Sequence, residues 1–268
     1  MAKTVQVFET VRYEVAEGVG TLTFNRPDVF NSFNDQMSQE VLAALTQAAR
    51  DGAVRCVLVM GSGKAFCAGQ DLGSRNVAGF DETLHLGESV RARYNPMIRI
   101  IRQMEKPVVA AINGVAAGAG CGIALACDVR IASEKAGFIQ AFVKIGAAPD
   151  SGTSFFLPRL IGLGRATALL FSGEKLDAAR ALEWGLVSEV AGAEVFPEYA
   201  QAYARQLAAG PTRAMALAKK ALNFAMAGDL EAALGYEAHM QELAGRSADY
   251  REGVSAFTEK RAPVYTGR

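Results

Sequence analysis

Two short glycine-bearing segments are the parts of this chain whose residue types could do chemistry with the main chain itself. The first, Lys64-Ala65-Phe66-Cys67-Ala68-Gly69-Gln70-Asp71-Leu72, follows an apolar, strand-like run. A tight turn at Gly69 would leave main-chain N–H groups pointing outward; the alternative is an ordinary strand-to-loop turn that Asp71 merely braces. The second runs from Asn113-Gly114-Val115-Ala116-Ala117-Gly118-Ala119-Gly120 to Cys127-Asp128. Its small residues let a helix begin close to a strand, with its first N–H groups and the positive end of its dipole open to developing negative charge. A tightly packed buried helix would use the same composition. A carboxylate follows in Ala148-Pro149-Asp150-Ser151-Gly152, where Asp150 is either a base or the cap of a helix starting near Thr153.

Other chemistries find little support. The two histidines, His85 and His239, belong to no HExxH, GxSxG or Cys-His arrangement. A strict GxGxxG with an acidic residue about twenty positions later is missing, so no dinucleotide is expected, and no motif asks for a metal or another cofactor. Lys plus Arg total 28 against 28 Asp plus Glu, leaving no basic surplus for a nucleic acid. Cysteines 56, 67, 121 and 127 sit in apolar or Gly/Ala surroundings without a CxxC pair, as buried free thiols would. Neither a basic-then-apolar start nor the roughly 18 consecutive apolar residues of a membrane span is found. The expectation is a soluble, cytoplasmic chain with no membrane partner.

The elements that must position these segments alternate. Residues 10–25 read as a hairpin about Glu17-Gly18. Asn34-Asp35 opens a helix in which Met37, Val41, Leu42 and Leu45 recur at helical spacing, and Asp51-Gly52 closes it. The apolar run 55–60, the loop 61–71, a long helix near 82–104, the buried strand 107–112, the Gly/Ala segment 114–126 and the strand 129–132 follow. Such a rhythm predicts α/β packing around parallel strands, with ligands at their carboxyl ends. From about residue 193 the chain turns helical, broken at Gly210-Pro211, Gly228-Asp229 and Gly245. The predicted division is therefore an α/β core over 1–192 and a helical region over 193–268.

Several ordered motifs together resemble the crotonase superfamily, the enoyl-CoA hydratase/isomerase family. They are Arg26-Pro27 with Asn31-Ser32-Phe33, FCAGQDL at 66–72, KPVVAAINGVAAGAG at 106–120, CDVRIAS at 127–133, EWGLV at 183–187, and the ending from Asp249 to Arg261. The resemblance implies a spiral of ββα turns, a C-terminal helical trimerisation region giving a homotrimer or hexamer, and an acyl-CoA substrate. It also implies that the thioester oxygen lies between the main-chain N–H groups of Gln70 and Ala119. By the same resemblance Ala68, Gly69, Asp71 and Gly118 shape that site, Ser32, Arg26 and Lys64 contact the nucleotide portion, and Phe257 and Lys260 reach a neighbouring subunit's CoA. Asp128 falls where the family has a structural aspartate.

Departures from the family pattern bear on the reaction. The two positions at which hydratases of the family carry glutamates are Gly122 and Phe142 here, and neither can transfer a proton. Asp150 occupies a position where isomerases and dehalogenases of the family carry a working aspartate. Beside Phe142, and near Phe155 or Phe156, such a carboxylate would be poorly solvated and a stronger base. The expected reaction is an acyl-CoA isomerisation with Asp150 as proton shuttle. The motifs at 30–35, 67–72, 113–120 and 244–257 are similar to the ring-epoxide isomerases that convert 1,2-epoxyphenylacetyl-CoA to an oxepin in phenylacetate degradation. The competing expectations are a hydratase/isomerase of another substrate, an aryl-CoA dehalogenase, for which a tryptophan would stand at Phe142 and a histidine partner is needed, and a non-catalytic acyl-CoA-binding subunit. His85 reads as a solvated surface residue.

Overall fold

The computed structural model describes residues 4–74 and 85–268. Strands β2 (Val11–Ala16) and β3 (Val19–Phe24) form the predicted hairpin, with Ala16 opposite Val19. Its two turn residues, Glu17 and Gly18, both take positive φ (51° and 78°), the backbone that matches the twist of the flanking strands. Strand β1 (Thr4–Val7) adds antiparallel to β2. Helix α1 (Asp35–Arg50) starts where the side chain of Asn34 accepts the Met37 N–H, and buries Met37, Val41, Ala44, Leu45 and Ala48 along one stripe.

After α1 the chain repeats one motif. Strands β4 (Cys56–Gly61), β6 (Val108–Ile112) and β8 (Val129–Ser133) each lie parallel to their neighbours in a large sheet. Each is followed by a short strand of a second sheet: β5 (Ala65–Cys67), β7 (Val115–Ala117) and β9 (Gly137–Ile139). A helix then closes each turn: α2 (Leu86–Ser89) runs through a π-helical turn (Val90–Tyr94) into α3 (Asn95–Gln103), α4 (Ala119–Ala126) follows β7, and α5 (Thr153–Ile161) follows β9. Residues 82–84 of the predicted long helix lie outside the described residues. Helices α6 (Leu163–Ser172) and α7 (Ala178–Glu183) flank β10 (Lys175–Asp177), and β11 (Glu189–Ala191) completes the core. The sheets are ordered β1-β2-β3-β4-β6-β8-β11 and β10-β9-β7-β5. This is the spiral of ββα turns that the motifs implied.

The core sits between the two sheets and the helices that follow them. Phe24 packs edge-on against Phe33 and Phe66, with ring centroids 5.4 and 5.3 Å away, and Phe33 does the same with Tyr94. The expected division after residue 192 falls just beyond β11. The first helix past it, α8 (Phe196–Ala209), lays Phe196, Ala200, Ala204 and Ala208 on Val19, Cys56, Leu58 and Ile131 and so covers the second face of the large sheet. Helices α9 (Thr212–Ala225), α10 (Leu230–Gly245) and α11 (Ala248–Glu259) follow, broken at the predicted positions. No helix among the described residues is long and apolar enough to cross a membrane.

One buried ionic cluster joins α9 to the core. Asp128 accepts hydrogen bonds from Val108 N–H and Lys219 Nζ, each at 2.8 Å, and pairs with Arg102 at 3.2 Å. Lys219 also donates to the carbonyls of Ile101 and Lys106. Burial pulls the Lys219 ammonium below its ordinary range while the Asp128 charge opposes that shift. Asp128 is thus the structural anchor its position suggested.

Candidate active site

Among the described residues, local structure leaves two main-chain donors without a protein partner on residues that line one cleft. Gly69 has φ +93°, and a Cβ there would lie 2.9 Å from Ala117 O and 3.5 Å from Ala119 N. Only glycine can turn the chain so close to the start of α4. The next residues are tied to the framework: Phe33 N–H donates to Gly69 O at 2.7 Å and Asp71 N–H to Phe33 O at 2.9 Å. The Gln70 side chain is held too, donating to Phe33 O at 2.9 Å and accepting from Tyr94 Oη at 2.6 Å. What remains is the Gln70 main-chain N–H, which donates to no protein group among the described residues.

The second donor comes from α4. Gly118, at φ 50° and ψ −125°, precedes the helix without a side-chain cap, and its own N–H is taken by Ile139 O at 3.0 Å. The Ala119 N–H is the first of the helix and likewise has no partner among the described residues. A Cβ on Gly120 would come within 2.5 Å of Cys67 O and 2.6 Å of Cys67 Sγ, so the small residues are what let α4 start against β5. The helix is wholly buried, as one expectation had it, and its first amide has no partner among the described residues.

Gln70 and Ala119 line one cleft of about 650 Å³, together with Ala68, Gly69, Gly118, Phe142 and Asp150. Among the described residues that line it, only Asp150 and Arg91 are ionisable. Asp150 is half-buried, and its carboxylate does not cap α5, whose N-cap is Gly152 with no side-chain bond. The capping alternative is overturned because the turn satisfies Thr153 N–H with the Asp150 main-chain carbonyl, at 2.9 Å, rather than with the carboxylate. Ser151 Oγ donates to Asp150 Oδ1 at 2.8 Å. Phe142 shares the cleft with Asp150, whereas Phe155 and Phe156 do not line it; Phe156 lies beneath Gly152. Gly122 is buried on α4, and a Cβ there would be 2.6 Å from Ser151 Cβ, so no open space awaits a second carboxylate.

The other predicted residues fall into two groups. Arg26, Ser32 and Asp71 brace the donor loop: Arg26 Nη1 lies 2.9 Å from Asp71 Oδ2 and donates to Ser32 O at 2.6 Å. Lys64 is exposed outside the cleft, as are Phe257, at 87% exposure, and Lys260, which ends α11 with a positive φ. His85 is exposed and absent from the lining, and Trp184 is held between the guanidinium groups of Arg165 and Arg180. The cleft also uses residues that sequence reasoning did not single out, among them Arg91, Leu86, Val90 and Ile145. The i, i+4 spacing of Leu86 and Val90 was the available signal. Burial holds the thiols of Cys67 and Cys121 up at about 12, so neither is a nucleophile beside this site.

The family pattern described as enoyl-CoA hydratase/isomerase matches residues 14–268. The chain belongs to the enoyl-CoA hydratase/isomerase family. It is 47% identical over 98% of its length to the whole of the 1,2-epoxyphenylacetyl-CoA isomerase of Escherichia coli (strain K12). It is 44% identical over 97% of its length to 99% of a Rhodobacter capsulatus protein assigned as an enoyl-CoA hydratase. A crystal structure from Mycobacterium abscessus, assigned to the enoyl-CoA hydratase/isomerases, superposes on 96% of this chain and all of its own with a TM-score of 0.91 at 42% identity. The chain is accordingly an enzyme of the acyl-CoA hydratase/isomerase kind with a crotonase fold.

Proposed function

We propose that this enzyme is an acyl-CoA isomerase that moves a proton and a double bond through an enolate held by the N–H groups of Gln70 and Ala119, with Asp150 as the proton carrier. One observation carries the reading: among the described residues Asp150 is the single acid lining a cleft, and the amides of Gln70 and Ala119, which also line it, donate to no protein group there. In a 3-enoyl thioester, removal of a proton from C2 spreads negative charge over the thioester oxygen and C4. Asp150 becomes neutral as it takes that proton and returns to a carboxylate as it delivers it to C4. The double bond finishes between C2 and C3, and neither water nor a cofactor is consumed. Two preorganised donors lower the barrier to the enolate, each by about 2.7–4 kcal/mol in comparable oxyanion holes.

Similarity to the Escherichia coli isomerase supports 1,2-epoxyphenylacetyl-CoA as the physiological substrate and an oxepin as the product, a ring expansion that leaves mass unchanged. In the same reading Phe257 and Lys260, at the exposed end of α11, meet the CoA of a neighbouring subunit in a homotrimer or hexamer, and Ser32, Arg26 and Lys64 flank the nucleotide end. A dehalogenase is less well served, since Phe142 occupies the tryptophan position and His85 lies outside the cleft.

A mass-spectrometric screen of CoA esters in deuterated water tests this reading and separates it from hydration. An isomerase incorporates label or shifts a double bond without gaining the mass of water. Asp150→Asn is expected to lower kcat by roughly 10²–10⁴-fold while acyl-CoA binding persists. Native turnover in that variant would remove Asp150 from the chemistry, and binding without turnover in the native protein would favour a non-catalytic subunit.

A further inference from the structure

Ser151 combines three features seldom found together. It adopts φ +53°, in the left-handed region where a non-glycine residue is disfavoured, although a glycine stands immediately after it. It is 1% exposed. Its hydroxyl donates to Asp150 Oδ1 at 2.8 Å. Such a strained position would be served as well by glycine if only the turn mattered, because glycine adopts that backbone without penalty.

The surroundings are fitted to this serine. On α4, a Cβ added to Gly122 would stand 2.6 Å from Ser151 Cβ and 3.0 Å from both Ser151 O and Thr153 Oγ1. The missing side chain at 122 and the serine at 151 therefore share one volume. Its hydroxyl is held in this nearly inaccessible position against the carboxylate, and Asp150 and Ser151 both line the cleft.

We infer that Ser151 is a positioning residue whose hydroxyl orients the Asp150 carboxylate toward the bound acyl group, and that Gly122 is small in order to house it. The inference rests on the reading of Asp150 as the proton carrier. It deepens that reading by making the pair Gly122 and Ser151, rather than the loss of a glutamate alone, the feature that commits this site to one-carboxylate chemistry. A hydroxyl donated to a carboxylate favours the charged, proton-accepting form. Arg91, from the π-helical turn, is the other ionisable group lining the cleft among the described residues and would remain in place in any variant at 151.

The test uses the full-length enzyme with a 3-enoyl-CoA as substrate and compares Ser151→Ala, Ser151→Gly and Asp150→Asn. Ser151→Gly removes the hydroxyl while relieving the left-handed strain, so a folding defect in Ser151→Ala would not be shared by it. Both serine variants are expected to lower kcat about tenfold, the size appropriate to one hydrogen bond to a charged group. KM should stay within about twofold of native, since the hydroxyl is already donated to Asp150. The acidic limb of the kcat–pH profile should move up by about one unit. A Ser151→Gly profile superimposable on native, with Asp150→Asn inactive, would overturn the role of Ser151 and leave Asp150 intact. An active Asp150→Asn would instead overturn the proposed proton carrier.

Discussion

Replacing Gly69 by alanine isolates the contribution of main-chain geometry to catalysis. At φ +93° an alanine is strained by about 1–3 kcal/mol. Its Cβ would also meet Ala117 O at 2.9 Å. That oxygen cannot step aside, because Ala117 belongs to β7 and is paired with Ile139 of β9. The turn at 69 must yield instead, and the Gln70 N–H moves with it. Losing one oxyanion donor costs about 2.7–4 kcal/mol of barrier stabilisation, or a 10²–10³-fold drop in kcat. The strain is small against the roughly 5–15 kcal/mol that keeps a typical domain folded, so the variant is expected to fold. Steady-state turnover of a 3-enoyl-CoA, alongside a thermal melt, measures both effects. A folded Gly69→Ala enzyme with kcat within about threefold of native would refute the assignment of the Gln70 amide as a donor.

Asp128→Asn removes the countercharge of Lys219 and leaves a buried ammonium facing carbonyls and an amide. A loss of about 3–5 kcal/mol is expected, seen as a fall in Tm of roughly 6–20 °C; an unchanged Tm would show that the cluster does not hold α9 to the core. The four buried thiols, raised by desolvation from 9.0 to about 12, should resist alkylation at pH 8 until the chain unfolds. Rapid labelling of the native protein would contradict their burial. Between pH 9 and about 12 the folded state holds protons on these thiols that the unfolded state releases, so stability should fall as pH rises through that window.

Periodicity and turn chemistry made most of the fold legible from sequence. The hairpin at Glu17-Gly18, the capped start of α1, the buried strands β4 and β6, and the breaks between the C-terminal helices all rest on contacts within a few residues, which a linear pattern records. The pairing of the segments at 66–72 and 113–120 as one site was legible only through the motifs. Neither glycine run says by itself that the Gln70 and Ala119 amides face the same space. That follows from β5 and β7 lying side by side in the second sheet, which sets Gly69 against the start of α4.

Only the folded chain ruled out the helix cap in the turn at 149–152. In sequence, Pro-Asp-Ser-Gly suits a helix cap as well as a base, because both uses ask for a short carboxylate before a helix. Hydrogen bonding excludes the cap: the Asp150 carbonyl serves Thr153 N–H, while its carboxylate accepts from the hydroxyl of Ser151 and Asp150 lines the cleft. The bracing of Gln70 by Phe33 and Tyr94, and of Asp71 by Arg26, was equally invisible along the chain. Residue types could mark the amides and the acid as candidates; the Gln70 loop is held by Phe33 and Tyr94, tens of residues away, and only packing brings those partners together.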